Sequence, residues 1–157
     1  MTYAAIRVRG HSKIKHTAEL TLEQLHLHRV NHLVLLPETE TSKRMLQVVK
    51  DYVTWGEIDR ETLADVIAKA ARLPGGVPAA TSKDSLSVAQ AILDGKATLE
   101  GEGIKRVIRL HPPRKGWEAI KLPYAGGGSL GYRGADINTL IKKMMPVRSV
   151  QDGKQNE

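Results

Sequence analysis

Met45-Leu46-Gln47-Val48-Val49-Lys50-Asp51-Tyr52-Val53-Thr54-Trp55-Gly56-Glu57-Ile58 changes its period halfway, and the change organises the first third of the chain. Met45, Val48 and Val49 recur at the spacing of one helix face, and Thr39 supplies a side-chain oxygen where such a helix begins. From 52 to 58 the residues alternate and favour β structure, which predicts a strand. Upstream, the apolar run 33–36 closed by Pro37 reads as a buried strand. Before it, Ala18, Leu22 and Leu25 form the stripe of a helix over about 17–27, with His28 and Arg29 near its negative end. Residues 4–9 read as a short strand stopped by Gly10 and a polar turn. The first 58 residues therefore read β-α-β-α-β.

Beyond them the composition changes. Asp59 is placed to cap a helix with the stripe Leu63, Val66, Ile67 and Ala70, ended by Leu73-Pro74-Gly75-Gly76. A second short helix is predicted near 85–93, with Gly95 as its stop. Residues 105–110 read as a strand and 111–134 as a long loop rich in glycine. Ile137, Leu140, Ile141 and Met144 mark a last helix over 136–145, terminated by Pro146, and the polar tail from Arg148 is expected to fray. A chain of 157 residues can bury roughly 70% of its unfolded surface, enough for one domain or for a small domain with an appended half. The expected division is 1–58 for the β-α-β-α-β unit and 59–157 for the extension.

Charge is concentrated in two places. Arg7, Arg9, Lys13 and Lys15, with His11 and His16, precede the first acid, Glu19, and Lys105, Arg106, Arg109, Arg114 and Lys115 lie between Gly103 and Trp117 with no acid among them. These nine account for the whole excess of 24 Lys and Arg over 17 Asp and Glu, since the remainder has 15 bases against 17 acids. A localised positive surface fits a polyanion. Membrane binding would require a basic amphipathic helix, a lipid anchor or an apolar run of about 20 residues, and none is present. Nor is the basic and then apolar order of a signal peptide, so export is not expected. The absence of cysteine excludes thiolate metal sites and thiol catalysis and agrees with a cytoplasmic location.

Other constellations have plainer explanations. Gly126, Gly128 and Gly131 satisfy the GxGxxG spacing of a dinucleotide loop, the basis of an alternative reading as a nucleotide-binding enzyme using residues 126–134. No strand runs directly into the spacing, and Tyr132-Arg133-Gly134 delays the helix that would receive a pyrophosphate. His26, His28 and His32 do not share a face, so no metal site is expected, and nothing ties Ser129 to His111 as a nucleophile to its base. A free-standing nucleic-acid-binding module is the other alternative, but the helices near 59–72 and 85–93 carry few cations for a groove. With 4% aromatic residues and no Phe, base stacking on a sheet is disfavoured. Folded RNA read through phosphates and shape is the better match.

Five stretches carry a resemblance: Ile6-Arg7-Val8-Arg9-Gly10; Leu25-His26-Leu27-His28-Arg29-Val30-Asn31-His32; 45–57; Arg109-Leu110-His111-Pro112-Pro113-Arg114-Lys115-Gly116; and Gly127-Gly128-Ser129-Leu130-Gly131 with the helix after it. In this order they resemble the archaeal form of the large ribosomal subunit protein thirty family, whose eukaryotic counterpart is large-subunit protein seven. The pattern is loose over 73–103. Two helical crossovers by themselves suggest parallel strands. The resemblance instead implies an α+β fold, a ferredoxin-like β-α-β-α-β core with a three-stranded antiparallel sheet whose first strand is central, plus a helical C-terminal extension with a basic loop. It implies a structural constituent without catalysis or cofactor. The partners it implies are large-subunit rRNA, the 5S rRNA region and neighbouring ribosomal proteins. Arg7, Arg9, His11, Lys13, Lys15, His28 and Arg29 are then expected on one phosphate-contacting face and Arg109, His111, Arg114 and Lys115 on a second, with Tyr132 and Arg133 reaching RNA from the glycine loop.

Overall fold

The structure, a computed structural model, describes residues 1–79 and 84–146. The expected tail from Arg148 lies outside them. Its elements run β1 (Thr2–Arg7), α1 (His16–Gln24), β2 (His32–Pro37), α2 (Glu40–Val48), β3 (Val53–Glu57), α3 (Arg60–Lys69), α4 (Ser85–Leu93), β4 (Ile108–Arg109), β5 (Ala119–Pro123), β6 (Gly128–Tyr132) and α5 (Asp136–Met144).

β1 lies between β2 and β3 and is antiparallel to both, with Ala5 opposite Val34 on one side and Trp55 on the other. The chain leaves β1 and re-enters β2 at the same end of the sheet, where the Asn31 N–H donates to the Arg7 carbonyl at 2.9 Å. That return depends on how α1 stops. His26 is left-handed, with φ 60°, its N–H donates to the Glu23 carbonyl, and the Leu27 N–H donates to the Leu22 carbonyl. This is a Schellman ending with histidine where glycine is usual. It buries Leu27 and turns His28 and Arg29 outward.

The sheet is larger than the three strands expected. Its order is β4-β2-β1-β3-β6-β5, with β4 antiparallel to β2, and β6 parallel to both β3 and β5. The correction comes from the predicted loop 111–134, which contains β5 and β6. Glycines at 128 and 131 and a proline at 123 lower their β propensity. Gly128 is nevertheless required, because a Cβ there would stand 2.0 Å from the Leu122 carbonyl oxygen. The strand expected over 105–110 shortens to two residues.

Helices cover both faces. α1 and α2 pack Ala18, Leu22 and Leu46 on Ala5, Val34 and Trp55, while α3, α4 and α5 pack Leu63, Ile67, Ala89 and Ile141 on Ala4, Ile6 and Leu33. In α2, Leu46 is buried and Val48 is not, so the stripe is rotated from the expected one. Thr39 caps α2 by accepting from the Ser42 N–H. Asp59 makes no side-chain cap. Its N–H donates instead to Asn138 Oδ1 at 2.9 Å, while Asn138 Nδ2 donates to the carbonyls of Glu57 at 3.1 Å and Ala135 at 2.9 Å. Asn138 thus joins α5 to the ends of β3 and α3 while nearly buried. Asn138→Ala leaves these groups unpaired and is expected to cost about 2 kcal/mol in urea unfolding.

Candidate nucleic-acid interface

β1, with Arg7 as its last residue, delivers both basic stretches to one end of the sheet. Asn31 accepts at its carbonyl from the Leu110 N–H at 3.1 Å, His32 pairs with Arg109 across β2 and β4, and His11 Nε2 lies 2.8 Å from the His28 carbonyl oxygen. Farther along, the N–H groups of His111 and Arg114 donate to the carbonyls of Met144 and Lys143 at the end of α5. Segments 7–11, 28–32 and 109–115 are therefore held side by side by backbone hydrogen bonds. The two expected faces merge into one basic ridge.

Backbone strain marks the same place. Among the described residues the four non-glycine positions with positive φ are Lys13, His26, Asn31 and Lys115, all in the loops that build the ridge. Such conformations persist where surrounding structure imposes them, and they cluster at functional sites. The ion pairs formed between described residues, Lys43–Glu38, Arg44–Glu40 and Lys69–Asp65, use no cation of either basic stretch. Lys13, Lys15, Arg29, Arg109, Arg114 and Lys115 are exposed, as are His11, His28 and His111. Arg9 is half-exposed and lies over the Tyr52 ring at 5.4 Å. His32, half-buried in the ridge, has its pKa lowered first by burial and then by Arg109 and Arg29, so near neutral pH it adds no charge.

Arg7 departs from expectation. Only 1% exposed, it donates from Nη1 to the Leu27 carbonyl at 2.7 Å and from Nε to the Arg9 carbonyl at 2.8 Å. Burial lowers its pKa. β1 is covered on both faces, so a side chain at its end turns inward whatever its charge. Arg7 braces the loop after α1 beneath the ridge and does not reach its surface. Arg7→Ala is expected to lower stability by about 2 kcal/mol through lost hydrogen bonds and packing. The salt dependence of RNA binding should stay that of the parent chain.

Tyr132 and Arg133 are not brought to the ridge. Tyr132 ends β6 and Arg133 follows it, two strands from β1, where the Tyr132 hydroxyl donates to Glu57 Oε1 at 2.6 Å and its pKa is pushed up to about 12 by that bond. Arg133 donates to Thr54 Oγ1 and to the Ser129 carbonyl, both at 2.8 Å, and stacks over Tyr124 at 4.7 Å. These contacts tie β6 to β3. Gly126, Gly128 and Gly131 lie in a strand-to-strand turn and on β6, not at a helix start, which removes the geometry a dinucleotide loop needs. Among the described residues no group of three or more His, Asp or Glu is placed to hold a metal ion, and no helix is long and apolar enough to cross a membrane.

Four cations outside the expected set lie beside the ridge. Lys69 and Arg72 at the end of α3 and Lys105 and Arg106 before β4 line an open groove with Arg109, His32 and His28. A cation in the last turn of α3, where it complements the negative end of the helix, was the available signal for Lys69.

Comparison with known proteins places the chain in a family. Residues 3–53 match the family described as Ribosomal protein L30p/L7e. The proteins named large ribosomal subunit protein uL30 from Thermoplasma volcanium, Methanosphaera stadtmanae and Methanococcus maripaludis are 49%, 44% and 43% identical to this chain. The alignments cover 90%, 91% and 92% of the chain and 92%, 99% and 100% of the respective relatives. The likeness therefore runs through the β1-to-β3 unit and on through the strands and helices that complete the sheet, and the chain belongs to the uL30 family of large ribosomal subunit proteins.

Proposed function

We propose that the protein is a non-catalytic structural constituent of the large subunit of the cytoplasmic ribosome, binding rRNA through phosphate and shape. Family membership supports the particle. The observation that carries the binding mode is the ridge of exposed cations, built from two stretches far apart in the chain and ion-paired with no acid among the described residues. Arg9, His11, Lys13, Lys15, His28, Arg29, Arg109, His111, Arg114 and Lys115 are the contacting residues in this reading, while Arg7, Tyr132 and Arg133 hold the scaffold. Contact near the 5S rRNA and with neighbouring ribosomal proteins belongs to the same proposal, as does the division into a core at 1–58 and an extension at 59–157.

Co-sedimentation with large subunits after a high-salt wash tests the assignment directly, and loss of the chain from washed particles would overturn it. Arg114 lies on the 109–115 arm, whose two adjacent prolines limit the entropy lost on docking. Arg114→Ala is expected to lower the slope of log affinity against log salt by about one unit on large-subunit rRNA. An unchanged slope would show that the arm does not meet phosphate.

A further inference from the structure

The groove beside the ridge is shaped differently from a surface for duplex RNA. It encloses about 840 Å³ between the end of α3, the segment before β4 and the β2–β4 edge. Lys69 and Arg72 line it from the end of α3 and the residues after it, Lys105 and Arg106 from the segment before β4, and Arg109 and His32 from the β2–β4 edge. The Lys105 N–H donates to the Arg72 carbonyl at 2.9 Å, which fixes the first two segments together. Glu100 is the one acid in the lining, and Lys69 is partly offset by Asp65 at 3.9 Å. Partly exposed Val107, with Pro74 and Pro146, adds apolar surface to the lining, while Ala70 and Ile104 are almost wholly buried.

A-form RNA presents a broad, shallow minor groove flanked by phosphate ridges, with no projection to enter such a recess. An unstacked nucleotide fits the recess in size, since pockets of about 300 to 1,000 Å³ enclose small organic molecules. It matches the chemistry as well: a base has apolar faces that stack on imidazole or guanidinium, and its neighbouring phosphates pair with the cations of the lining.

Resting on the rRNA-binding reading, we propose that this groove takes an unpaired RNA segment, with one extruded base against the apolar surface and the flanking phosphates on Arg72, Lys105 and Arg109. The ridge then carries helical RNA and the groove a single strand leaving it. This gives the protein two RNA contacts of different kind.

Fluorescence anisotropy with the full chain separates the possibilities. The probes are a labelled single-stranded octaribonucleotide of mixed sequence, a blunt RNA duplex of about 16 base pairs and large-subunit rRNA, all at about 100 mM salt. Arg72→Glu with Lys105→Glu, at two exposed positions, is expected to weaken octamer binding by about tenfold or more and duplex binding by less than about threefold. AMP at equal nucleotide concentration should fail to displace the octamer. Equal losses on octamer and duplex, or no loss on either while rRNA is still bound with steep salt dependence, would overturn the groove proposal and leave the rRNA reading standing. Efficient displacement by AMP would make this a free-nucleotide site and overturn it too. Absence of rRNA binding by the parent chain would instead remove the reading on which the proposal rests.

Discussion

Gly56→Ala should cost about 4 kcal/mol, at the upper end of what one substitution does, although it adds a single methyl group. Gly56 is the fourth of the five residues of β3, and a Cβ built there falls 2.0 Å from the Gly134 carbonyl oxygen and 3.0 Å from Ile137 Cβ. The obstacle is backbone, so no rotamer change relieves it. α5 would have to lift from the sheet, and Asn138 and the buried Ile137 and Ile141 resist that movement. The cost should extend to RNA. The arm 109–115 is tied to the end of α5 through the His111 and Arg114 N–H groups, so displacing the helix displaces the cations. Urea unfolding gives the first number, and hydrogen exchange at α5 amides shows whether the helix is the part released. Parent-like stability in Gly56→Ala would mean that the α5 contact is soft and that the arm is not positioned by it.

Gly56 also shows which parts of the structure the sequence exposes to reading. Caps and stops at 39 and 95 were legible because each is decided within a few residues: Thr39 accepts from Ser42, and Gly95 has φ 73° at the end of α4. The stripes of α3 and α5 were legible for the same reason. What sequence alone concealed depends on partners far along the chain. β5 and β6 read as loop because Gly128 and Gly131 are poor strand formers, and only the close approach of Leu122 explains the first of them. Arg7 reads as a surface cation on its charge alone. Yet it stands in the run Tyr3-Ala4-Ala5-Ile6-Arg7-Val8, and a lone charge inside an otherwise apolar run of a central strand was the signal of burial. The excess charge itself was fully visible, whereas its merging into one ridge required the β2–β4 pairing, a two-residue ladder no local pattern announces.

Affinity for large-subunit rRNA should fall about a thousandfold between about 50 and about 200 mM salt if about six cations meet phosphate, each releasing close to one counterion. The count comes from geometry. Removing Arg7, which is buried, and Arg133, which is engaged with Thr54 and Ser129, leaves seven Lys and Arg of the expected set: Arg9, Lys13, Lys15, Arg29, Arg109, Arg114 and Lys115. Arg9 is partly occupied by Tyr52 and the Asp51 carbonyl, so it is the weakest of them. Lys13→Ala combined with Lys15→Ala should lower the salt slope by about two units, while Arg7→Ala should leave it unchanged despite removing an equal charge per site. That contrast distinguishes contact from long-range attraction. If all cations acted only through the summed field of the protein, buried and exposed charges would count nearly alike and the Arg7 variant would shift the slope as much as either lysine. A slope unaffected by the lysine pair, or a flat response of the parent chain, would mean that the ridge does not lie against phosphate.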